Sequence, residues 1–407
     1  MIPSTKVRLA ASCVAAALAL GLAAVPAAAA PKVAPVDKDV RFATFNASLN
    51  RAQAGQLVAD LSTGTNAQAR VIAEIIQRTH PDVVLVNEFD FVEGGVAAEL
   101  FRDKYLAVGQ NGAAPVTYPY HFVAPVNTGV PSGFDLNNDG ALNGPDDAWG
   151  FGFFPGQYGM VVYSKYPIAT DEVRTFQHFR WQDMPGALLP AGWYSAEELA
   201  RFPLSSKSHW DVPVVVDRKT VHVLAAHPTP PTFDGPEDRN GRRNHDEIRL
   251  WADYIAGGRQ ASYIYDDAGV RGGLRQGDRF VIVGDYNADP VDGDSLGGAI
   301  NQLLDHRRIN DRFTPASECG AEASQLQGRD NLAHRADPRY DTADFSEPPG
   351  NLRVDYVLPS RNLPVLGGGV FWPVSADPLS SLTGVWPFPS SDHRLVWVDT
   401  KLPHRDR

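Results

Sequence analysis

Short runs of β-branched and aromatic residues, each cut off by a polar side chain, recur along most of the chain. Residues 40–46 (VRFATFN), 82–86 (DVVLV), 159–164 (GMVVYS) and 280–283 (FVIV) are too short for helices and too apolar for surface loops, so they predict buried strands. Residues 209–216 and 220–226 predict a hairpin around the turn 217–219. Further strands are expected at 173–179, pairing with 159–164, at 352–358 with Asp355 in the middle, and at 370–374 and 395–399. Helical spacing appears at 67–78, where Val71, Ile72, Ile75 and Ile76 share a face before Pro81, and at 244–255, where Ile248, Trp251, Ala252 and Ile255 do. Shorter helices are expected at 97–106, 196–200 and 296–304. Strands outnumber helices and hairpins mix with crossovers, which predicts an α/β fold with two packed mixed β-sheets flanked by helices.

Composition changes this picture little. The 407 residues are 43% hydrophobic and 21% charged, as in ordinary globular proteins. The first thirty residues stand apart. Lys6 and Arg8 precede an apolar run over 9–25 and a small-residue tract at 28–30, the pattern of a secretory signal peptide. Residues 31–407 then form one domain, with a loop insertion at about 111–156 rich in Gly, Pro, Asn and Asp. Losing Lys6 and Arg8 takes the net charge from −11 to −13. That excludes a broad basic face for duplex binding but not a small positive site built from a metal and a few arginines. Cys13 leaves with the signal, so Cys319 has no partner and reads as a buried small residue. A secreted monomer with no transmembrane segment is expected.

The polar residues at the strand ends carry the chemistry. Asn46, Glu88, His227, Asp285, Asn287, Asp355, Asp392 and His393 span nearly the whole mature chain. Oxygens and imidazoles aimed from several strand ends into one crevice suit a hard cation and proton transfer. Each taken singly also reads as a cap, a turn or an edge residue. The stretches FNASLN (45–50), NE (87–88), GMVVYSKYPI (159–168), HPTP (227–230), GDYNADP (284–290), RVDYV (353–357) and SDH (391–393) together resemble, in order, the endonuclease/exonuclease/phosphatase superfamily with the deoxyribonuclease I-like fold. The resemblance implies a four-layered α/β sandwich and in-line hydrolysis of a phosphoester by water. It implies Mg²⁺ (or Mn²⁺) ligation by Glu88, with Asn46 beside it and Asp392 as a further carboxylate. It implies that Asp285 and Asn287 position water and phosphate, that His393 pairs with Asp355, and that His227 hydrogen-bonds a phosphate oxygen. Either Asp285 or His393 remains open as the proton acceptor.

Residues 135–146 (DLNNDGALNGPD) match the spacing of an EF-hand-type Ca²⁺ loop, with Gly140 at the sixth position. Asp135, Asn137, Asp139 and Asp146 would give side chains and Ala141 its carbonyl, in a structural role. Arg239, Arg242 and Arg243, and Lys207 and His209, read equally as phosphate contacts or as solvated surface. The expected function is a secreted, metal-dependent phosphodiesterase, nuclease-like. Its substrate would be a nucleic acid, a phospholipid head group or a small organophosphate. A phosphomonoesterase or a phospholipase C/sphingomyelinase-like hydrolase is the nearest alternative. A non-catalytic Ca²⁺-binding or adhesion module on the same fold is the alternative of another class.

Overall fold

The computed structural model describes Met1 and residues 38–403; the rest of the expected signal peptide lies outside the described residues. The first apolar run extends into a twelve-residue strand, β1 (Lys38–Leu49). Two helices follow, α1 (Gln56–Ser62) and α2 (Ala67–Thr79). Asn66 caps α2 by accepting the Ala69 N–H at 3.0 Å, and His80 ends it in left-handed backbone just before Pro81. Strand β2 (Val83–Phe89) runs parallel to β1, with Asn46 opposite Asn87. Then come α3 (Val96–Phe101), which continues as a wider turn to Leu106, and the strands β3 (Tyr120–Phe122), β4 (Met160–Ser164) and β5 (Arg174–Thr175).

After α4 (Ala196–Leu199), β6 (His209–Val216) and β7 (Lys219–Ala226) form the expected hairpin. Its turn residues Asp217 and Arg218 both have positive φ, 47° and 68°, as a tight two-residue hairpin requires. The chain continues through α5 (Arg239–Ala256), β8 (Arg279–Asp285), α6 (Asn301–Leu304) and α7 (Glu318–Gln327). It closes with β9 (Asp355–Pro359), β10 (Val365–Val370), α8 (Ser380–Thr383) and β11 (Val396–Leu402).

The strands make two mixed sheets, ordered β10-β11-β1-β2-β4-β3 and β5-β6-β7-β8-β9. Val40, Phe42, Leu85 and Val162 from the first sheet pack with Trp210, Val212, Val223 and Val281 from the second. The other face of the first sheet buries Phe45, Val84 and Val86 under Ile72, Ile75 and Ile76 of α2. The other face of the second buries Leu224 and Ile282 under Trp251 and Ile255 of α5. Every strand of these pairs is therefore apolar on both faces, and four layers result.

Three details depart from the pattern reading. Residues 173–179 contribute only β5, which pairs with β6 in the second sheet rather than with β4. Asp355 is the first residue of β9, not its middle, and sits opposite Asp285 at the end of β8. The second-last strand is β10 at Val365–Val370 rather than 370–374. Cys319 is buried, and burial pushes its thiol up to about 11.

One buried acid gives a pH test of stability. Asp341 is only 4% exposed; burial and the nearby Asp289, Asp292 and Asp337 push its carboxyl up to about 8. A carboxyl raised in the folded state favours folding below its unfolded pKa of about 3.9, and that contribution is lost as pH rises through the folded value. Asp341→Asn is therefore expected to stabilise the protein at pH 8.5 by about 1–3 kcal/mol and to change little near pH 4. Urea midpoints at the two pH values measure this; equal shifts at both would refute it.

Candidate active site

The C-terminal ends of β1, β2, β7 and β8 meet the start of β9 and the turn before β11. At their meeting point is Asp285, 1% exposed. Its Oδ2 accepts from Asn46 Nδ2 at 3.0 Å and lies 3.4 Å from His227 Nε2 and 3.6 Å from His393 Nε2. Its Oδ1 accepts the Asn287 N–H at 2.9 Å. Asn46 Nδ2 also donates to Glu88 Oε1 at 3.1 Å, and Asn50 Nδ2 donates to Glu88 Oε2 at 2.8 Å. His393 Nδ1 is 2.9 Å from Asp355 Oδ2, which also accepts from Thr342 Oγ1 at 2.8 Å. Asp392 faces Ser48 and Ser391, whose hydroxyls are each 3.4 Å from its Oδ1. Residues from seven separate stretches thus come together, all eight strand-end candidates among them.

The backbone is strained where it delivers these groups. Ser48, Glu88 and Asn287 have φ of 46°, 55° and 50°, in the left-handed region that side chains disfavour. Gly284 turns the chain at the end of β8 with φ 153°, and a Cβ there would lie 2.1 Å from the Ala226 carbonyl. Only glycine lets β7 and β8 close up just before Asp285.

Electrostatics separate the titratable groups. Burial pushes both Asp285 and Glu88 upward, and the His393 charge pulls each partly back. Asp392 and Asp285 add like-charge repulsion at Glu88. Burial alone would lower the His393 pKa, but Asp355 and Asp285 outweigh it and hold the ring well above its ordinary value. His227 goes the other way: burial, then Lys207 and His393, keep it neutral.

Sequence reasoning missed several contributors. Asn50 and Ser48 lie in the first polar strand end, and Thr342 lies in a stretch without periodicity. Lys207, which the sequence left open between phosphate contact and solvated surface, lies near Glu88 and Asp285. It is 6% exposed, and its Nζ makes no hydrogen bond or ion pair with the described residues. Its pKa is lowered by burial, against the pull of Glu247, Glu88 and Asp285. A lysine in a serine-rich stretch gives no sequence signal of burial; the tertiary fold encloses it. Glu247 of α5 holds the same wall, accepting the N–H groups of Ser206 at 2.7 Å and Thr229 at 2.6 Å. Ser206 Oγ, His227 Nδ1 and Thr229 Oγ1 are buried there without hydrogen-bond partners.

The other candidates stay outside the cluster. Arg239 pairs with Glu237, Arg242 Nε donates to the Glu237 carbonyl, and buried Arg243 donates to the carbonyls of Leu204, Pro203 and Trp149. His209 lies between Ser205 Oγ and the Glu247 carbonyl, and burial takes it down to about 4. In the loop 135–146, backbone N–H groups occupy Asp135, Asn137 and Asp139, as does the Asn137 amide at Asp139. Asp146 is exposed and Ala141 is too, while the neighbouring Asp147 is buried and ties the loop to Leu136 and Gly144. The Ca²⁺ expectation for these residues is carried by their spacing alone.

Two groupings of acids bear on a metal. Asp285, Asp355 and His393 offer ligand atoms within 4.8 Å of one another, the one such group of His, Cys, Asp or Glu among the described residues. In that group both His393 nitrogens already face carboxylates, so a proton fills the role a cation would. Glu88 and Asp392 instead repel each other; amide N–H groups alone hold the Glu88 oxygens, and Asp392 Oδ1 meets only two hydroxyls at 3.4 Å. All-oxygen donors with uncompensated charge fit a hard divalent cation.

A family model described as the endonuclease/exonuclease/phosphatase family matches residues 43–393, a span that contains every residue of this cluster. The chain belongs to that family. Members of the endonuclease/exonuclease/phosphatase family hydrolyse phosphoesters, and the four layers found here are its fold. Solved structures similar to this chain include an endonuclease/exonuclease/phosphatase from Beutenbergia cavernae, 18% identical, covering 89% of this chain and 72% of that one, with TM-score 0.48. Another is sphingomyelinase C from Streptomyces griseocarneus, 15% identical, covering 89% and 99%, with TM-score 0.45. A third is a mannosyl-6-phosphatase from Bacteroides thetaiotaomicron, 12% identical, covering 89% and 99%, with TM-score 0.42. At these identities and scores they say nothing about this family member's substrate. No curated protein matches the chain.

Proposed function

We propose that this family member is a metal-dependent phosphoester hydrolase that activates water for in-line attack on phosphorus, with a phosphodiester as first-choice substrate. The observation that carries the reading is the sharing of Asp285 Oδ2 among Asn46, His227 and His393, beside the Glu88–Asp392 pair. Glu88, Asp392 and Asn46 would hold Mg²⁺ or Mn²⁺. When bound, such a cation neutralises phosphoryl oxygens.

The chain's own groups do the rest. Asp285, raised by burial, takes the proton from the attacking water, and the Asn287 N–H fixes its second oxygen. His393, kept as imidazolium by Asp355, donates from Nε2 toward the phosphoryl group rather than accepting a proton. Neutral His227 and the unpartnered Lys207 ammonium receive charge as it builds on the phosphoryl oxygens. The basic start, apolar run and alanine tract of residues 1–30 support export. Among the described residues no helix is long and apolar enough to cross a membrane.

Bis-p-nitrophenyl phosphate and p-nitrophenyl phosphate, with Mg²⁺ and with chelator, test this directly. Metal-dependent release from the diester is expected, and Glu88→Gln is expected to lower it by about 10²–10³-fold at fixed Mg²⁺. Turnover of neither ester under any divalent cation would sink the reading. Faster monoester cleavage would move the substrate class.

A further inference from the structure

Next to Glu88 the surface dips into a cavity of about 300 Å³, lined by Asn50, Ala52, Phe153, Gln157 and Tyr158. We propose that this pocket binds an uncharged hydroxylated ring, the alcohol portion of the phosphoester, while the phosphoryl group sits at Glu88 and Asp285. The inference rests on the hydrolase reading above and names the substrate class of the same site.

The pocket is built, not incidental. Asp90, 3% exposed, accepts the Arg51 N–H at 2.8 Å on one oxygen and the Tyr158 N–H at 3.1 Å on the other, so it clamps the two loops that form the walls. Gln157 Nε2 donates to the Arg51 carbonyl at 2.7 Å, and its Oε1 accepts the Phe153 N–H at 2.7 Å. Each end of the Gln157 amide thus braces a wall of the cavity. Tyr158 is held in left-handed backbone, φ 56°, a strained setting for an aromatic residue. Asn50 joins the pocket to the reaction centre through its 2.8 Å bond to Glu88.

What remains available sets the ligand chemistry. Asn50 Oδ1 and the Tyr158 hydroxyl make no hydrogen bond with the described residues, leaving an acceptor and a donor on residues that line the same cavity. The Phe153 ring, 66% exposed, and the Ala52 methyl offer an apolar face. No charged side chain lines the cavity. Arg51, between lining residues Asn50 and Ala52 in the chain, is committed to Asp60 at 2.7 Å and to the Asn50 carbonyl at 2.8 Å. A ring with C–H faces and hydroxyl edges matches this lining. A polyanion does not, because its next phosphate would meet a lining without a positive side chain on a chain of net charge −11. The volume lies at the small end of ligand pockets, suiting one ring.

The test compares methyl phosphate with ring-bearing esters: a hexose 6-phosphate, an inositol phosphate, a nucleoside 5′-monophosphate, and methyl diesters of the same alcohols. Wild-type protein is expected to favour at least one ring series over its methyl counterpart by about tenfold or more in kcat/KM, and the preferred series identifies the ring. Tyr158→Phe and Phe153→Ala are expected to remove about tenfold of that preference, mainly through KM, and to leave methyl phosphate turnover unchanged. Variants that lower both substrates equally, a ring series no better than methyl phosphate, or a preference for plasmid DNA over all of them would overturn the pocket assignment. Calorimetric titration of the same compounds into wild type and Tyr158→Phe, in chelator, decides the pocket even if no ester is hydrolysed. Binding lost in the variant supports the assignment, and equal or absent binding rejects it. Loss of hydrolysis with ring binding intact would condemn the hydrolase reading instead.

Discussion

His393→Asn is expected to lower kcat/KM by about 10³-fold or more while the protein still folds. Asparagine can place an amide N–H near the position of Nδ1 and keep the bond to Asp355, now 2.9 Å. It has nothing at the position of Nε2, which lies 3.6 Å from Asp285 Oδ2. The substitution therefore removes the donor that faces the reaction while sparing the buried carboxylate its loss of partner, which would otherwise cost several kcal/mol. Asp355→Asn in the same background adds little further loss, since Asp355 acts through His393 and the two effects do not sum. Steady-state kinetics with circular-dichroism melts measure both. A variant retaining more than a tenth of wild-type activity would remove His393 from the mechanism.

Lys207→Met is expected to do two opposite things: lower turnover by about 10²–10³-fold and raise stability by about 1–3 kcal/mol. The residue is 6% exposed and its ammonium has no partner among the described residues, and burial outweighs the neighbouring carboxylates in setting its pKa below the ordinary value. Methionine fills much the same space without the desolvation cost. The pH dependence follows from that direction. A lysine lowered in the folded state penalises folding below its folded pKa, and the penalty is relieved as pH rises toward the unfolded value of about 10.4. The stability gain of the variant is thus largest at neutral pH and shrinks above pH 10. Urea unfolding at pH 7 and pH 10.5, beside initial rates, tests all three statements. A destabilised variant would mean that Lys207 is a structural ion-pair member. A stabilised but fully active one would mean that its charge has no part in binding phosphate.

The two predictions draw on residues of unequal legibility. His393 announces itself in the sequence, because Asp and His adjoin after Pro-rich turn chemistry and match a family stretch in order. Lys207 does not: in a run of serines it has the pattern of a solvated loop, and only packing beneath α5 encloses it. Thr342 and Glu247 were equally silent. Thr342 matters because β9 begins at Asp355, three residues later than the apolar run from 352 suggested, and the Thr342 hydroxyl holds the Asp355 carboxylate where it faces Asp285. Glu247 matters because a helix that looked amphipathic from Ile248 and Trp251 also turns a carboxylate toward two loop amides.

The arginines show the reverse error in reach. Arg239, Arg242 and Arg243 lie close in sequence to His227, yet carbonyls and Glu237 hold all three away from it. Guanidinium groups have five donors and are readily consumed by backbone oxygens, so nearness along the chain says little about where they point.

Amino-acid order by itself determined the alternation of apolar strands with polar ends, hence two sheets with helices outside, because burial on both faces of a strand leaves only its ends for polar chemistry. It also singled out eight polar side chains at or beside those ends. Register and strain were decided by the tertiary structure: which oxygen faces which nitrogen, which carboxylate carries excess charge, and which lysine loses its water. Those properties arise from ångström-scale distances between stretches up to 344 residues apart, and desolvation has no local signature in the chain.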